Sequence, residues 1–500
     1  MSERYDVLII GCGVVGAAAA FELSKYDLKI GVVEKGNDVA LGTTKANSAI
    51  IHAGYDPESG TLMARLNVRG AEMAYDICEK LDVPYRRNGA LVVAFDEEEA
   101  QTLKGLQGRG TVNGVKGLRI ITGDEARKRE PNLSPEVVSA LVVPTSAIVS
   151  PWEYCLAMAE TAVRNGAELF LNTEVTSLRR EDGVWKAGVR KGTGTERTSE
   201  EIEANYIVNA AGVDAIDVHD MAAPHKYESR PRRGEYFLLD KSEGTRVRHT
   251  IFQTPKETGK GVLVTPTVHG NLLVGPNSEE VSWEDTGNTK SGLDFVKGKA
   301  MKSVPSVMFN KSIRNFAGVR AVTDRNDFII EEAAPGMIDC VGICSPGLSA
   351  APAIAEYAAT LLSRAGLQLE SKEDFIYERK CIVFKRLSDE EKAELVKNDP
   401  SYGRVICRCE TITEGEIRAC FNEPIPPVSL DGVKRRTGAG MGRCQGGFCG
   451  PRIAELFVEE KGVPVEEVLQ DRAGSEMFFG MTKEAVRDED QNDEGGEPNV

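Results

Sequence analysis

The N-terminal segment alternates between continuous apolar runs and a run of small residues. YDVLIIGCGVVGAAAAFELSKYDLKIGVVEKG predicts a strand, a tight turn, a helix and a second strand. The uninterrupted run from Val7 to Ile10 is typical of a strand buried on both faces of a parallel sheet. Alternating strand and helix patterns recur at 150–176 and 340–363, so the chain is expected to contain a doubly wound parallel sheet.

Other parts of the chain have different patterns. Residues 85–95 and 230–280 show short β-type runs interrupted by Gly, Pro and Asn, which predicts an antiparallel sheet in a second domain. A substrate is expected where the two domains meet. Residues 366–403 are charged and mixed, which predicts a connector with a short helix. The acidic, apolar-poor segment 485–500 is predicted to be disordered.

The turn after the first strand reads G-x-G-x-x-G. Gly11 permits the turn, Gly13 lets the backbone approach a pyrophosphate, and Gly16 allows close packing of helix and strand. The pyrophosphate would lie at the positive helix N-terminus. Glu34, at the end of the next strand, is placed to bind a ribose hydroxyl. The fingerprint predicts a dinucleotide site without separating FAD from NAD.

Several longer segments favour FAD over NAD. GTTKANSAIIHAGYDPESG, YIVNAAGVDA and GICSPGLSAAPAIAEYAATLL resemble the D-amino-acid-oxidase-like superfamily of FAD-dependent oxidoreductases. Within it, the chain resembles the branch of glycerol-3-phosphate dehydrogenases and oxidases and L-2-hydroxyglutarate dehydrogenases, over roughly the first 365 residues. The resemblance implies that FAD contacts Gly11, Gly13, Val14, Val15, Gly16, Glu34, Lys35, Thr43, Thr44, Asn47, Ser48, Val175, Gly212, Gly347, Leu348 and Ser349.

The resemblance and the patterns together predict a domain organisation. The fold class is α/β, with an inserted antiparallel-β substrate domain and a small, mainly helical C-terminal iron–sulfur domain. The expected FAD-binding domain is 1–80, 145–225 and 330–365, the substrate domain is 81–144 and 226–329, the connector is 366–403, and the cluster domain is 404–470.

Three residues are candidates for the chemistry. The resemblance places a general base or flavin-facing histidine at His52, and neutral imidazole can take a hydroxyl proton near neutral pH. Lys260 and Arg320 could bind a substrate phosphate or carboxylate, since both lie in near-apolar contexts. The alternatives are a packed histidine and surface salt bridges. Arg232, Arg233 and His269 are weaker candidates.

The net charge and the cysteine content limit the classes of partner and the cellular compartment that we expect. A net charge of −16 disfavours nucleic acid and anionic membranes. The apolar run from Val7 to Phe21 is too short for a membrane span and lacks the features of a signal peptide. We therefore expect a cytoplasmic protein with reduced thiols, peripheral to a membrane only through partner subunits. In that compartment, a tight cysteine set favours metal over disulfides.

Four C-terminal cysteines form such a set. Cys407 and Cys409 read C-x-C, and Cys444 and Cys449 read C-x4-C. Four thiolates can hold Zn²⁺ or an iron–sulfur cluster. The spacing resembles the bacterioferritin-associated-ferredoxin-like domain, which implies a [2Fe-2S] cluster in preference to zinc. Cys420 is interpreted as a buried apolar cysteine.

The two ends of the chain predict one function. The leading hypothesis is an FAD-dependent dehydrogenase that oxidises sn-glycerol 3-phosphate and passes electrons through the cluster to a partner subunit, with a second flavoprotein as one such acceptor. This combination resembles the anaerobic glycerol-3-phosphate dehydrogenase family. One alternative keeps the chemistry with L-2-hydroxyglutarate or another 2-hydroxy or amino acid as substrate. The other is an electron-transfer or redox-sensing protein without a small-molecule substrate.

Overall fold

The computed structural model describes residues 4–193, 197–255 and 261–480. The chain divides into two compact units, Met1–Cys381 and Ile382–Val500. The strands of the first unit are β1 (Tyr5–Ile10), β2 (Ile30–Val33), β3 (Ile50–Ile51), β4 (Tyr85–Arg86), β5 (Ala90–Ala94), β6 (Arg119–Thr122), β7 (Ser139–Val143), β8 (Ala147–Val149), β9 (Glu168–Phe170), β10 (Thr173–Glu181), β11 (Val184–Lys191), β12 (Thr198–Asn209), β13 (Arg232–Leu239), β14 (Thr250–Gln253), β15 (Leu263–Pro266), β16 (Leu272–Gly275), β17 (Glu279–Glu280), β18 (Ser312–Arg320), β19 (Ile329–Ala334) and β20 (Met337–Val341). Its helices are α1 (Val14–Leu23), α2 (Leu62–Lys80), α3 (Glu97–Val112), α4 (Gly123–Arg129), α5 (Pro151–Arg164), α6 (Ala215–Asp220), α7 (Lys290–Ser303) and α8 (Gly347–Arg364).

An eight-stranded sheet carries the N-terminal strand at its centre. β1 pairs in parallel with β2 and β12, β2 with β9, and β12 with β20. The ribbon β10–β11 and the strand β19 join in antiparallel pairs. The apolar run predicted for β1 is fully buried from Val7 to Ile10, because helices cover this sheet. Parallel strands joined through helices confirm the predicted doubly wound sheet.

A nine-stranded sheet forms the other half of the first unit. Its order is β17-β13-β16-β15-β14-β5-β7-β6, with β18 on the remaining side of β13. All of its pairs are antiparallel except β14 with β5. One face packs on α7 through Val296 and Ala300. The opposite face packs on Ile50, Ala53 and Tyr55, and so lies against the chain segment that leaves the first sheet.

The second unit is small and mainly helical. It contains β21 (Val405–Cys407), β22 (Ile412–Thr413), α9 (Asp389–Asn398), α10 (Glu414–Ala419), α11 (Leu430–Thr437) and α12 (Gly450–Lys461). Its core includes Ile417, Val433 and Leu456 together with Cys407 and Cys449. The predicted α/β fold class with a helical C-terminal domain is confirmed. Within the described ranges, no helix is long and apolar enough to cross a membrane.

The predicted connector contains the boundary between the units. Residues 371–381 belong to the first unit. Arg379 forms a 2.8 Å ion pair with the buried Glu160, and the backbone N–H of Ile376 donates to Asn165. The helix α9 belongs to the second unit and begins with a capping box at Ser388 and Glu391. The predicted acidic tail, 485–500, lies outside the described residues.

Candidate functional site

The turn between β1 and α1 requires glycine at two positions. Gly11 has a φ of 95°, and a Cβ there would lie 2.6 Å from the carbonyl oxygen of Ala210. A Cβ at Gly16 would lie 1.9 Å from the carbonyl oxygen of Gly11. Any side chain at either position would push helix and strand apart. The two glycines therefore fix the helix N-terminus at the end of β1.

The open side of the same turn is available to a ligand. A Cβ at Gly13 would meet only the Thr44 hydroxyl, at 3.3 Å, and a Cβ at Gly42 or Gly212 would meet nothing within 4 Å. Gly42 and Gly212 flank the turn, because Ala40 donates to Cys12 and Ala210 donates to Ile10. This exposed backbone at a helix N-terminus suits a pyrophosphate. The residues present therefore fit a dinucleotide cofactor.

Glu34 lies at the end of β2 beside this turn. Its carboxylate accepts the backbone N–H of Cys12 at 2.7 Å and that of Gly36 at 2.8 Å. Burial raises the pKa of the Glu34 carboxyl, against these two donors, which lower it. The carboxylate is thus held at the position that the fingerprint predicts for a ribose contact, with further lone pairs available.

The segment 43–52 runs from the turn across one face of the nine-stranded sheet. The Thr44 hydroxyl accepts the backbone N–H of Val14 at 2.9 Å, and the Thr43 hydroxyl donates to the carbonyl of Val319 at 2.6 Å. Farther along, the hydroxyls of Ser48 and Tyr236 lie 3.2 Å apart. The cofactor turn and the second sheet are therefore joined through one segment.

Asn47 shapes this segment. Its amide nitrogen donates to the carbonyls of Thr43 and Thr44, and its oxygen accepts from the backbone N–H of Ala49, which has a φ of 58°. A non-glycine residue in the left-handed region is uncommon. The Asn47 side chain stabilises that turn and so directs the chain toward His52.

His52 is held through its backbone. Its N–H donates to the Ser349 hydroxyl at 2.7 Å, and that hydroxyl donates to the carbonyl of Ile50 at 3.3 Å. Ser349 is fully buried on α8. The His52 ring lies 5.7 Å from the ring of Phe252 on β14, at an interplanar angle of 36°. His52 therefore lies between the first unit's α8 and the nine-stranded sheet.

Arg320 ends β18 on the sheet face that meets segment 43–52. Its guanidinium donates to the carbonyl of Asn277 at 3.2 Å and lies near the Ser278 hydroxyl at 3.5 Å. It occupies the space above Gly234, where a Cβ would lie 2.5 Å from Nη2. Across the described residues, no carboxylate pairs with Arg320. A permanently charged group with only neutral partners can accept an anionic ligand.

Arg232 lies directly opposite Arg320 in the register of β13 and β18. Opposed residues of an antiparallel pair share one sheet face, so the two arginines face the same side. No ion pair joins Arg232 to any described residue. From the sequence alone, Arg232 is only a weaker candidate beside Arg233. Strand alternation in PRRGEYFLLD separates the two, since it places Arg232, Gly234 and Tyr236 on one face and Arg233 on the other.

The other candidate cations have different environments. Arg233 is buried and pairs with Glu279 at 2.8 Å and Asp285 at 2.7 Å, so it is part of the sheet's structure. His269 pairs with Glu153 at 3.0 Å and stacks on Trp152. Lys260 lies outside the described residues.

The remaining predicted cofactor residues lie on several elements of the first unit. Lys35 is exposed and forms a 2.6 Å ion pair with Asp214. Val14 and Val15 form the first turn of α1, and Val175 lies at a bulge in β10. Gly347 and Leu348 begin α8, where a Cβ on Gly347 would meet the Ile343 side chain at 2.8 Å.

The four C-terminal cysteines form two contacting pairs. The Sγ atoms of Cys409 and Cys444 are 3.8 Å apart, and Cys407 is hydrogen bonded to Cys449. Cys407 and Cys449 are buried, whereas Cys409 is exposed. In the described ranges, no three His, Cys, Asp or Glu side chains surround a single point as one metal ion would require. Four cysteine thiolates are a ligand set that both iron–sulfur clusters and structural zinc use.

Local hydrogen bonds favour the thiolate form of Cys407 and Cys444, whereas the hydrogen bond to Cys407 raises the pKa of Cys449. Hydrogen bonds from Cys449 and from the backbone N–H groups of Gly440 and Glu410 lower the pKa of Cys407 to about 6, against burial. The backbone N–H of Phe448 contributes most to lowering the pKa of Cys444. Metal ligation needs the deprotonated form. Cys420 is buried outside this set and donates to the carbonyl of Ile417.

Family comparisons agree with both halves of this geometry. Residues 6–361 match the family model described as FAD dependent oxidoreductase, and residues 405–459 match the BFD-like [2Fe-2S] binding domain. The chain belongs to the FAD dependent oxidoreductase family. This FAD-dependent oxidoreductase therefore binds FAD in the first unit and carries a [2Fe-2S] binding domain in the second.

The chain is similar to individual members of this family with named activities. The oxidoreductase is 47% identical to a glycerol 3-phosphate dehydrogenase of Caloramator mitchellensis, over 97% of this chain and 100% of the relative. It is 34% identical to the mitochondrial L-2-hydroxyglutarate dehydrogenase of Homo sapiens, over 55% of this chain and 61% of that protein. The structure of the FAD-bound L-alpha-glycerophosphate oxidase from Mycoplasma pneumoniae superposes with a TM-score of 0.71 at 33% identity, covering 76% of this chain and 100% of that one.

Proposed function

We propose that this oxidoreductase oxidises sn-glycerol 3-phosphate to dihydroxyacetone phosphate with FAD and passes the electrons through its [2Fe-2S] cluster to a partner protein. The observation that carries the proposal is the arginine pair Arg232 and Arg320, which faces the cofactor segment. The similarity to a glycerol 3-phosphate dehydrogenase over both units favours a phosphate as the anion.

The arginine pair supplies the substrate's anion site. Like charges directly opposite on neighbouring strands repel each other, and a bound dianion between them would offset that cost. Arginine offers a planar fork that fits phosphate or carboxylate oxygens. Lys260, close in sequence to β15, is proposed as a third cation of this site.

His52 would take the proton of the C2 hydroxyl. Oxidation of the alcohol removes a hydride from C2 and a proton from the hydroxyl oxygen, so a base is required beside the hydride acceptor. The backbone bond to Ser349 and the contact with Phe252 hold the His52 ring in one place. Ser48 and Tyr236 supply hydroxyls on the same sheet face.

The two bound groups supply complementary redox chemistry, since FAD accepts a hydride and a [2Fe-2S] cluster accepts one electron at a time. The chain's own contribution is to bind and orient them. The glycine turn and Glu34 would hold FAD, with Thr43, Thr44, Asn47 and Ser48 ordering the segment beside it. Cys407, Cys409, Cys444 and Cys449 would ligate the cluster.

An anaerobic spectral titration tests the proposal. Glycerol 3-phosphate should bleach the visible flavin band of the purified holoprotein, and reduction of the cluster should follow. An Arg232→Ala, Arg320→Ala variant should need far more substrate, whereas Arg314→Ala, an exposed position on the same strand β18, should behave as the unaltered protein does.

Two other outcomes would overturn the substrate assignment. If L-2-hydroxyglutarate bleaches the flavin and glycerol 3-phosphate does not, the arginine pair binds a carboxylate and the chemistry stands. If neither compound reduces the flavin while dithionite does, the protein transfers electrons without such a substrate.

A further inference from the structure

The cysteine loops of the second unit have a buried side and an open side. Cys407 and Cys449 are 1% and 3% exposed, whereas Cys409 is exposed. Arg408, Arg443, Gly447 and Phe448 are also exposed, and the Phe448 side chain is 90% accessible. We name Arg408, Cys409, Arg443, Gly447 and Phe448 the cluster rim.

The rim residues are held together by the loops that carry the thiols. Gly442 packs so closely on Cys409 that a Cβ would lie 2.2 Å from the Cβ of Cys409. Cys409 and Cys444 are in contact, and the backbone N–H of Phe448 bonds to the Cys444 sulfur. Arg408 and Arg443 immediately precede these two cysteines. The aromatic ring, both arginines and the open thiol pair therefore share one surface.

The charge of this surface is opposite in sign to that of the whole chain. Residues 434–452 contain five basic side chains and no acidic one, in a chain of net charge −16. None of the five is without a partner: Arg435 pairs with Asp471, Arg452 with Glu455 and Lys434 with Asp431, Arg436 donates to the carbonyl of Ile425, and Arg443 also has a partner among the described residues. Glu410, the residue after Cys409, is buried and lies 4.0 Å from Lys385. The five rim residues themselves include two basic side chains and no acidic one.

An exposed aromatic ring flanked by arginines is typical of the centre of a protein interface. Aromatic residues and arginine are enriched there, whereas a phenylalanine left in water contributes nothing to the unit's own core. The open thiol pair lies at the same surface, so a docked protein would approach the cluster closely. Complementary charge raises the association rate of such encounters.

We propose that the cluster rim is the docking surface for an acidic, electron-accepting redox protein. The proposal rests on the proposed function, in which electrons leave through the cluster. In each encounter the reduced cluster loses one electron and the acceptor gains one, and no bond forms or breaks. Phe448 provides the apolar contact, and Arg408 and Arg443 provide the attraction.

The test uses full-length holoprotein reduced with dithionite and freed of excess reductant, so that it does not depend on any substrate. Three oxidants are mixed with it rapidly: plastocyanin, which is acidic, cytochrome c, which is basic, and 1,4-benzoquinone, which is uncharged. Plastocyanin should be reduced faster than cytochrome c, and its rate should fall as salt rises. The unaltered protein alone can overturn the proposal, if cytochrome c reacts faster or if salt has no effect.

Variants then locate the surface. Arg408→Glu with Arg443→Glu, and separately Phe448→Ala, should slow the reduction of plastocyanin by about tenfold or more while leaving that of benzoquinone unchanged. Phe479→Ala, a side chain 91% exposed, and Arg472→Glu are the matched controls. The cluster's paramagnetic resonance signal must be retained in every variant.

Two results would overturn the assignment of the rim. Rim variants that behave as Phe479→Ala and Arg472→Glu do would place docking elsewhere. Rim variants that alter the oligomeric state, with unchanged rates toward plastocyanin, would assign the rim to contact between copies of this chain. Failure of glycerol 3-phosphate to reduce the flavin would overturn the proposed function and leave this test unaffected.

Discussion

Replacing Ser349 with alanine tests whether the bond from α8 to the His52 backbone positions the proposed base. The Ser349 hydroxyl is fully buried, accepts the His52 N–H at 2.7 Å and donates weakly to Ile50 at 3.3 Å. Ser349→Ala leaves that N–H without its acceptor. A buried unsatisfied group costs about 1–3 kcal/mol, and we expect the free energy of unfolding of the first unit to fall by that amount.

Loss of the hydrogen bond between Ser349 and the His52 backbone should also slow flavin reduction. A free-energy change of about 1–3 kcal/mol corresponds to roughly a 5- to 150-fold change in an equilibrium. Small misplacement of a reacting group can cost about 100-fold in rate, so the rate constant of flavin reduction should fall by about 10- to 100-fold. Thermal unfolding of the holoprotein measures the first effect, and rapid mixing with glycerol 3-phosphate under anaerobic conditions measures the second.

The controls separate positioning from general damage. Ser363→Ala removes an exposed hydroxyl from the same helix and should change neither quantity. Ser349→Cys retains a weak acceptor of similar size and should recover part of the rate. If Ser349→Ala matches Ser363→Ala in stability and rate, the bond does not position His52.

Further substitutions test the rest of the site. His52→Ala should lower the rate constant of flavin reduction by about 10²–10⁴-fold at unchanged FAD content, measured by rapid mixing, and a loss below tenfold would contradict its role as base. Arg320→Ala or Arg232→Ala should each weaken glycerol 3-phosphate binding by about 10- to 150-fold, because a lost hydrogen bond to a charged group costs about 1.5–3 kcal/mol. The affinity is measured from the substrate dependence of flavin bleaching, and normal affinity in either variant would exclude that arginine from the anion site. Gly16→Ala should lower the ratio of FAD to protein in the purified sample, because its Cβ would lie 1.9 Å from a carbonyl oxygen, and full FAD content would refute the close packing. Cys444→Ser should abolish the cluster's paramagnetic resonance signal while substrate still bleaches the flavin, and a retained cluster would remove Cys444 from the ligand set.

Local patterns predict the elements that depend on neighbours in sequence. The glycine spacing of the first turn fixes that turn because Gly11 and Gly16 touch each other and Ala210. The apolar run of β1 predicts a central strand because helices must cover both faces of a parallel sheet. The cysteine spacing predicts the thiol set for a similar reason, since two short loops carry all four sulfurs.

Contacts between distant segments could not be predicted in this way. The bond between Ser349 and His52 joins residues far apart in the chain, and neither residue's neighbours indicate it. The opposition of Arg232 and Arg320 depends on the register of β13 and β18, which is set by the whole sheet. The parallel pairing of β14 with β5 likewise depends on the long connection between them.

The neighbouring arginines on β13 have a consequence for how this strand can change. Arg233 is buried among carboxylates, whereas Arg232 faces the cofactor segment. Inserting or deleting one residue near the start of β13 would exchange the two faces. Arg232 would then face Glu279 and Asp285, and Arg233 would face the cofactor segment. The net charge of the strand would not change, but each arginine would lie in the environment that suits the other. We therefore expect the length of this strand to be far less variable than the identity of its exposed side chains.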